Sequence, residues 1–114
     1  MRWSGVNKDL ALLGHIKDEI HFLEVQFPKN TQEDLLNDPL LQRGTIRSLE
    51  IIGEAVKNLS DNFKTHNSQI EWKEIAGMRD RLIHQYFAVD WDIVWEVIEK
   101  RIPELKEIVT KALE

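Results

Sequence analysis

DPLLQRGTIRSLEIIGEAVKNL, residues 38–59, is the stretch that decides the fold, because it predicts one long amphipathic helix. Asp38 has a suitable N-cap side chain, and Pro39 suits the first helical turn. The buried side recurs at helical spacing and comprises Ile46, Leu49, Ile52, Gly53, Val56 and Leu59. Glycine lowers helix stability relative to alanine, so we expect a second helix to approach closely at Gly53.

The segment before this helix predicts another helix over residues 7–27, which Pro28 ends. Its inward stripe comprises Leu10, Leu13, Ile16, Ile20, Leu23 and Phe27. Residues 29–37, which include Asn30, Thr31 and Gln32, predict a polar connector. The first half of the chain therefore predicts two long helices joined by a polar connector.

The second half predicts further helices. Residues 68–71, SQIE, form a capping box that places a helix start near Gln69. That helix carries an apolar surface and loses definition near residues 87–89. Asp90 then predicts the N-cap of a fourth helix, which Pro103 kinks or breaks. The whole pattern predicts an all-α fold, an antiparallel four- to five-helix up-down bundle that forms a single domain over residues 1–114.

Composition narrows the classes of function. The chain has 114 residues, a net charge of −5 and no cysteine, so disulfides, thiolate catalysis and cysteine-based zinc sites are excluded. No segment has the apolar character of a signal peptide or of a membrane span, and we expect a cytoplasmic protein. The acidic balance argues against a general nucleic-acid coat, although a small local basic patch remains compatible with RNA binding.

Residues 79–86, RDRLIHQY, contain the side chains that are best suited to catalysis and ligand binding. Arg79 carries a permanent charge, His84 offers an imidazole, which is the side chain most often used for proton transfer, and Tyr86 offers a phenol. Asp80 and His84 are four residues apart and share a helix face, so Asp80 can orient the imidazole. Arg79 and His84 diverge by about 140° on an ideal helix. They converge on one phosphate only if the helix unwinds near His84 or if two chains face each other, and we favour the second arrangement.

Simpler interpretations of the same residues stay open. A histidine near a helix C-terminus suits the helix dipole, a helical arginine is usually paired or solvated, and Tyr86 fits a core position with its hydroxyl at the rim. The polar stripe of Arg47, Glu50 and Glu54 fits surface ion pairing, although Glu54 is also placed to hold Arg79. A carboxylate-bridged di-iron site is excluded, because it requires Glu-x-x-His pairs on two helices. We therefore expect no metal and no cofactor.

Three blocks of sequence occur in an order that resembles the HepT-like toxins of the HEPN superfamily. They are RSLEIIGEA at residues 47–55, WKEIAGMRDRLIHQYF at residues 72–87, and the combination of VD at 89–90 with IVW at 93–95. The resemblance covers nearly the whole chain from the first helix onward. The Arg-x4-His spacing is a weak signal alone, and the flanking block at residues 72–78 makes it specific.

The resemblance implies a metal-independent endoribonuclease, the toxin of a type VII-like toxin–antitoxin system, with a 2′,3′-cyclic phosphate product. It implies that Arg79 and His84 are catalytic and that Tyr86 is adenylylated by a small nucleotidyltransferase antitoxin. It also implies a homodimer whose two motifs meet at a cleft that binds RNA. Asp80, Glu54 and Arg47 are then supporting residues. Two alternatives remain: a non-catalytic helical partner subunit of a nucleotidyltransferase, and a purely structural helical dimer.

Overall fold

The chain folds into helices that pack around the segment quoted first. The computed structural model describes residues 5–26, 30–85 and 88–114, and all regular structure within these ranges is helical. The helices are α1 Gly5–Gln26, α2 Gln32–Asn37, α3 Pro39–Asn58, α4 Asp61–His66, α5 Trp72–His84, α6 Trp91–Glu96 and α7 Ile102–Leu113, with a π-helical segment at Val97–Arg101. The predicted all-α fold is confirmed.

Helix α3 begins as the sequence predicts. The Asp38 side chain accepts hydrogen bonds from the backbone N–H groups of Leu40 and Leu41, at 3.0 and 3.2 Å, and Pro39 occupies the first turn. The helix packs against α1 on one side and against α5 on the other, while α7 packs against α1. Helix α3 is therefore the central element of the bundle.

The core is formed by one apolar side of each long helix. Helix α3 contributes Leu49, Ile52 and Val56, none of which is exposed. The other helices contribute Leu13, Ile16, Ile20 and Leu23 from α1, Ile75 and Leu82 from α5, and Ile102, Leu105, Ile108 and Val109 from α7. Two members of the predicted α1 stripe are not among these core residues. Leu10 is 43% exposed, so its inward placement was wrong, and Phe27, like the Pro28 stop, lies outside the described residues.

The polar connector before α3 contains a short helix, α2, that the sequence did not predict. Thr31 accepts a hydrogen bond from the Asp34 N–H at 3.1 Å, and Asp34 accepts one from the Thr31 N–H at 2.7 Å, which forms a capping box for α2. Leu35 on this short helix is completely buried. A six-residue helix is too short for its apolar period to show in the sequence, so a single buried leucine anchors it.

The capping box at residues 68–71 was also a wrong prediction. Helix α5 begins at Trp72, and the side chain of its N-cap residue, Glu71, makes no capping hydrogen bond. An additional short helix, α4, precedes it and is capped by Ser60. The Trp72 indole N–H donates to the Asn67 carbonyl at 3.0 Å, and its ring meets Phe63 edge-on at a centroid distance of 5.9 Å. These contacts to the preceding turn fix the start of α5 in place of a cap.

A buried carboxylate connects α1 to the junction between α3 and α4. The two Asp9 oxygens accept hydrogen bonds from the backbone N–H and the hydroxyl of Ser60, at 2.9 and 2.6 Å. The same Ser60 hydroxyl accepts the Phe63 N–H at 3.1 Å and so caps α4. This chain of hydrogen bonds satisfies a polar group that burial would otherwise penalise.

The last helical stretch runs without a break from α6 through the π segment to α7. Asp90 caps α6 as predicted, by accepting from the N–H groups of Asp92 and Ile93. The Ile102 N–H donates to the Val97 carbonyl five residues earlier, and the backbone stays helical at both ends of the π segment. Pro103, in the first turn of α7, therefore does not break the helix, because the wider turn ahead of it accommodates the missing N–H. None of the described helices combines the length and the apolar character needed to span a membrane.

Candidate active site

Gly53 determines how α3 and α5 meet. A Cβ added at Gly53 would overlap the Cβ of Arg79, would lie 3.0 Å from the Arg79 Cγ, and would lie 3.3 Å from the Ile75 carbonyl oxygen. The aliphatic stem of Arg79 thus lies directly on the α3 backbone. The close approach that the sequence predicted at Gly53 is confirmed, and the residue it admits is the arginine of the Arg-x4-His motif.

The Arg79 guanidinium is held by two carboxylates. Nη2 lies 2.9 Å from Glu54 Oε2 on α3, and Nη1 lies 2.9 Å from Asp80 Oδ1 on its own helix. Asn58 Nδ2 also donates to Glu54 Oε1, at 3.2 Å. Only 24% of the Arg79 side chain is exposed, and its Nε is buried without a hydrogen-bond partner among the described residues. The expected contact between Glu54 and Arg79 is therefore present.

These contacts change the proton affinities of both partners. The hydrogen bond from Arg79 holds the pKa of Asp80 below its ordinary value, and the nearby charges of Lys57, Arg79 and His84 act in the same direction, while burial opposes them. The hydrogen bond to Asp80 raises the pKa of Arg79, with the charges of Glu54, Asp80 and Glu50 adding to it against the effect of burial. Asp80 is thus a stable anion and Arg79 a permanent cation at neutral pH.

Asp80 has a different partner from the one predicted. We expected it to orient His84, but its carboxylate bonds to Arg79 and lies 3.9 Å from Lys57 Nζ. The imidazole affects the pKa of Asp80 as a nearby charge, and no hydrogen bond joins the two side chains. The orienting role of Asp80 toward His84 stays a prediction, while its contact with Arg79 is a feature that spacing did not indicate.

His84 is the last residue of α5, and its side chain is exposed. The Gln85 N–H still donates to the Arg81 carbonyl, at 2.8 Å, so the helix does not unwind before His84. Arg79 and His84 therefore keep the divergence of about 140° that five helical residues impose. The helix is regular as far as His84, and the backbone leaves the helical conformation at Gln85. Tyr86 lies outside the described residues.

Two cavities border α5. The first, of about 270 Å³, lies where α1, α3 and α5 meet, and its lining includes Arg79, Glu54, Arg47 and His15. The second, of about 650 Å³, lies between α5 and the α6–π segment, and His84 lines neither of the two. Arg47 is largely exposed and lies 3.5 Å from Glu50. His15 was not predicted as a site residue, since only the packing of three helices brings it to Arg79.

No group of three or more metal-ligating side chains occurs in the part of the chain that the structure describes. The polar side chains around Arg79 instead form pairs of opposite charge. The Arg79 guanidinium retains N–H groups that are able to bind an oxyanion. An arginine fixed in this way, with histidines nearby, has the chemical groups needed to bind a phosphate and to move protons.

Comparison with known proteins places this chain in a family. Residues 16–112 match the family described as "Ribonuclease HepT-like". The chain is 52% identical to "Putative RNase TTE0752" of Caldanaerobacter subterraneus subsp. tengcongensis, over 90% of this chain and 91% of that protein. It is 44% identical to "Probable ribonuclease HepT" of Thermococcus cleftensis, over 82% of this chain and 86% of the relative.

A third relative, "Putative RNase MJ0127" of Methanocaldococcus jannaschii, is 41% identical over 85% of this chain and 78% of its own length. No solved structure matches the chain significantly. The chain belongs to the HepT-like ribonuclease family, as its sequence blocks predicted.

Proposed function

We propose that this protein is a metal-independent endoribonuclease, the toxin of a type VII-like toxin–antitoxin system, and that it cleaves RNA with Arg79 and His84. The observation that carries the proposal is the Arg79 guanidinium, fixed between Glu54 and Asp80 at 2.9 Å from each, on the same helix as an exposed His84. Membership of the HepT-like ribonuclease family supports RNA as the substrate.

The reaction uses the 2′-hydroxyl of the RNA as the nucleophile. An imidazole removes the 2′ proton as the 2′-oxygen forms a bond to phosphorus, the bond from phosphorus to the 5′-oxygen breaks, and that oxygen receives a proton. The products are a 2′,3′-cyclic phosphate and a 5′-hydroxyl. Arg79 stabilises the charge that develops on the non-bridging oxygens, and its prior fixation means that little reorganisation is needed during the reaction.

A homodimer is part of the proposal, because the helix is regular up to His84. On an ideal helix, one chain presents Arg79 and His84 in directions about 140° apart, which favours an arrangement in which two chains share the contacts to one phosphate. Two chains that face each other would bring the arginine of one toward the histidine of the other. Glu54 and Asp80 position Arg79 in this arrangement, and Arg47, which is largely exposed, adds positive charge at the rim.

Replacing His84 tests the proposed chemistry. Purified protein is expected to cleave RNA in EDTA, and His84→Ala to lower the rate by about 10²-fold or more, the range typical of general acid–base residues. The exposed His21 on α1 provides the matched control, His21→Ala, which is expected to cleave at the original rate. Undiminished cleavage by His84→Ala, with a cyclic phosphate end still formed, would contradict the proposed role of His84.

Adenylylation of Tyr86 by a cognate nucleotidyltransferase antitoxin is the proposed mode of neutralisation. An AMP group on the phenol would place a bulky anion near Arg79 and His84, where it would compete with the phosphate of RNA by charge and by volume. Co-expression with the nucleotidyltransferase is expected to add one or more AMP masses to the peptide that contains Tyr86, and Tyr86→Phe to prevent the addition. An unmodified peptide together with full neutralisation would show that inhibition has another cause.

A non-catalytic partner subunit of a nucleotidyltransferase is the second candidate. The observation in its favour is that Glu54 and Asp80 already neutralise Arg79, in a chain with a net charge of −5. This candidate predicts a tight complex with the nucleotidyltransferase and no RNA cleavage by protein with an unmodified Tyr86. Cleavage that His84→Ala removes and His21→Ala retains would decide in favour of the ribonuclease.

A further inference from the structure

A histidine other than His84 lines the same cavity as the arginine of the proposed active site. The cavity at the junction of α1, α3 and α5 is lined by His15 from α1, by Arg47 and Glu54 from α3, and by Arg79 from α5. His84 does not line this cavity. Within one chain, the histidine that shares a cavity with the Arg79 guanidinium is therefore His15.

His15 makes no polar contact with the other described residues. Its side chain is exposed, and no hydrogen bond or ion pair joins it to any other described residue. The helix that carries it is held instead by the buried residues Leu13 and Ile16 on either side of it. The imidazole is accordingly free to take part in binding and proton transfer.

The charged side chains around the cavity determine how an imidazole there would affect the binding of a phosphate. Arg47 lies 3.5 Å from Glu50, and Arg79 lies 2.9 Å from Glu54, so both arginines that line the cavity are already paired with carboxylates. An imidazolium at His15 would add a positive charge that is not part of these pairs. A phosphate that enters the cavity would then find a cation that is not already paired with a carboxylate.

Other charged groups occur on the helix that carries His15 and on α7, which packs against that helix. Asp18 and Glu19 follow His15 by three and four residues on α1, and neither lines the cavity. On α7, which packs against α1, Lys106 Nζ lies 2.6 Å from Glu24, well along the helix from His15. The cavity brings His15 together with Arg47 and Arg79.

We propose that His15 carries out one of the two proton transfers of RNA cleavage and His84 the other. This inference rests on the proposed ribonuclease function, and it assigns a residue to the second proton transfer that the reaction requires. One imidazole takes the 2′-hydroxyl proton as the 2′-oxygen bonds to phosphorus. The other, as an imidazolium, gives a proton to the 5′-oxygen as its bond to phosphorus breaks, and Arg79 holds the non-bridging oxygens.

The test compares pH–rate profiles of the full-length protein, His15→Gln, His15→Lys and the control His21→Gln. His21 lies on the same helix, is exposed, and points about 120° away from His15. His15→Gln is expected to lower kcat by about 10²-fold, with a smaller change in KM, and to remove one limb of a bell-shaped profile. His15→Lys keeps a positive charge but transfers no proton near neutral pH, so it is expected to be equally impaired.

Two outcomes would overturn the inference. One is His15→Gln with the original kcat and both limbs of the profile, and the other is His15→Lys with the original kcat, which would mean that charge alone is needed. Failure of the inference can be told apart from failure of the proposed function by His84→Ala. If His84→Ala is inactive while His15→Gln is fully active, the ribonuclease proposal stands and the role of His15 does not.

Discussion

Arg79 and His84 lie five residues apart on one helix, yet their surroundings differ in almost every respect. Arg79 rests on the backbone at Gly53, contacts Glu54 and Asp80, and is three-quarters buried. His84 is exposed at the end of the helix and has no hydrogen-bond partner among the described residues. The bundle therefore fixes the group that would bind the phosphate and leaves the group that would move protons accessible.

This difference indicates how the work of a small helical protein is divided. A guanidinium that must meet developing charge benefits from a fixed position, because reorganisation during the reaction is then avoided. An imidazole that must exchange protons with substrate and solvent benefits from exposure. The same difference predicts that substitutions around Arg79 affect both stability and cleavage, whereas substitutions of His84 affect cleavage alone.

The largest expected effect comes from replacing the fixed cation. Arg79→Lys retains the charge but cannot contact Glu54, Asp80 and a phosphate with one planar group, so we expect cleavage to fall by about 10²- to 10³-fold. Arg81→Lys, on the same helix at an exposed position with no described ion pair, is the matched control and is expected to cleave normally. Single-turnover cleavage of a labelled RNA measures both. Rates for Arg79→Lys within about threefold of the original protein would show that the geometry of the guanidinium is unimportant.

The next effect concerns the contact that fixes Arg79. Gly53→Ala would force α3 and α5 apart, and we expect a loss of about 1–3 kcal/mol in the free energy of unfolding, with reduced cleavage. Gly77→Ala on α5 is the control, because a Cβ there has no atom within 4 Å. Since alanine favours a helix over glycine, this control is expected to gain about 0.5–1 kcal/mol. Urea unfolding compares the two, and a gain of stability in both variants would contradict the close contact at Gly53.

The smallest effect is the pH dependence that Asp80 contributes. Its pKa is lowered in the folded protein, so its stabilising contribution is present above the ordinary value of 3.8 and is lost as the pH falls through the lower, folded value. We expect Asp80→Asn to melt below the original protein at neutral pH and the two melting curves to converge in acid. The difference should also shrink in high salt, because Asp80 is half exposed. A difference that persists unchanged at low pH would exclude the carboxylate charge as its source.

The sequence predicted the central parts of this molecule because their signals are local. Asp38 and Pro39 determine where α3 begins, and Gly53 in an otherwise bulky stripe indicates a close neighbour. Each of these signals depends on residues within one or two turns, so the sequence alone contains it. The contact between Glu54 and Arg79 then follows from the close approach of the two helices.

The wrong or missing predictions concern features that depend on distant residues. Helix α2 exists because the bundle buries Leu35, and the capping box at residues 68–71 is overridden by the contacts of Trp72 with Phe63 and Asn67. His15 and Arg79 are 64 residues apart in the chain, and they line the same cavity only because three helices pack together. No local pattern encodes such a meeting, so neither periodicity nor motif spacing could have revealed it.

The hydrogen bonds between Asp9 and Ser60 have a consequence for the order in which this protein folds. The hydroxyl that caps α4 is itself oriented by a carboxylate 51 residues earlier in the chain. A six-residue helix does not persist alone in water, so α4 acquires its protection only once the start of α1 has docked. The amide protons of this short helix are thus natural reporters of the docking of the first helix, and their exchange with solvent would record each time that end of the bundle opens.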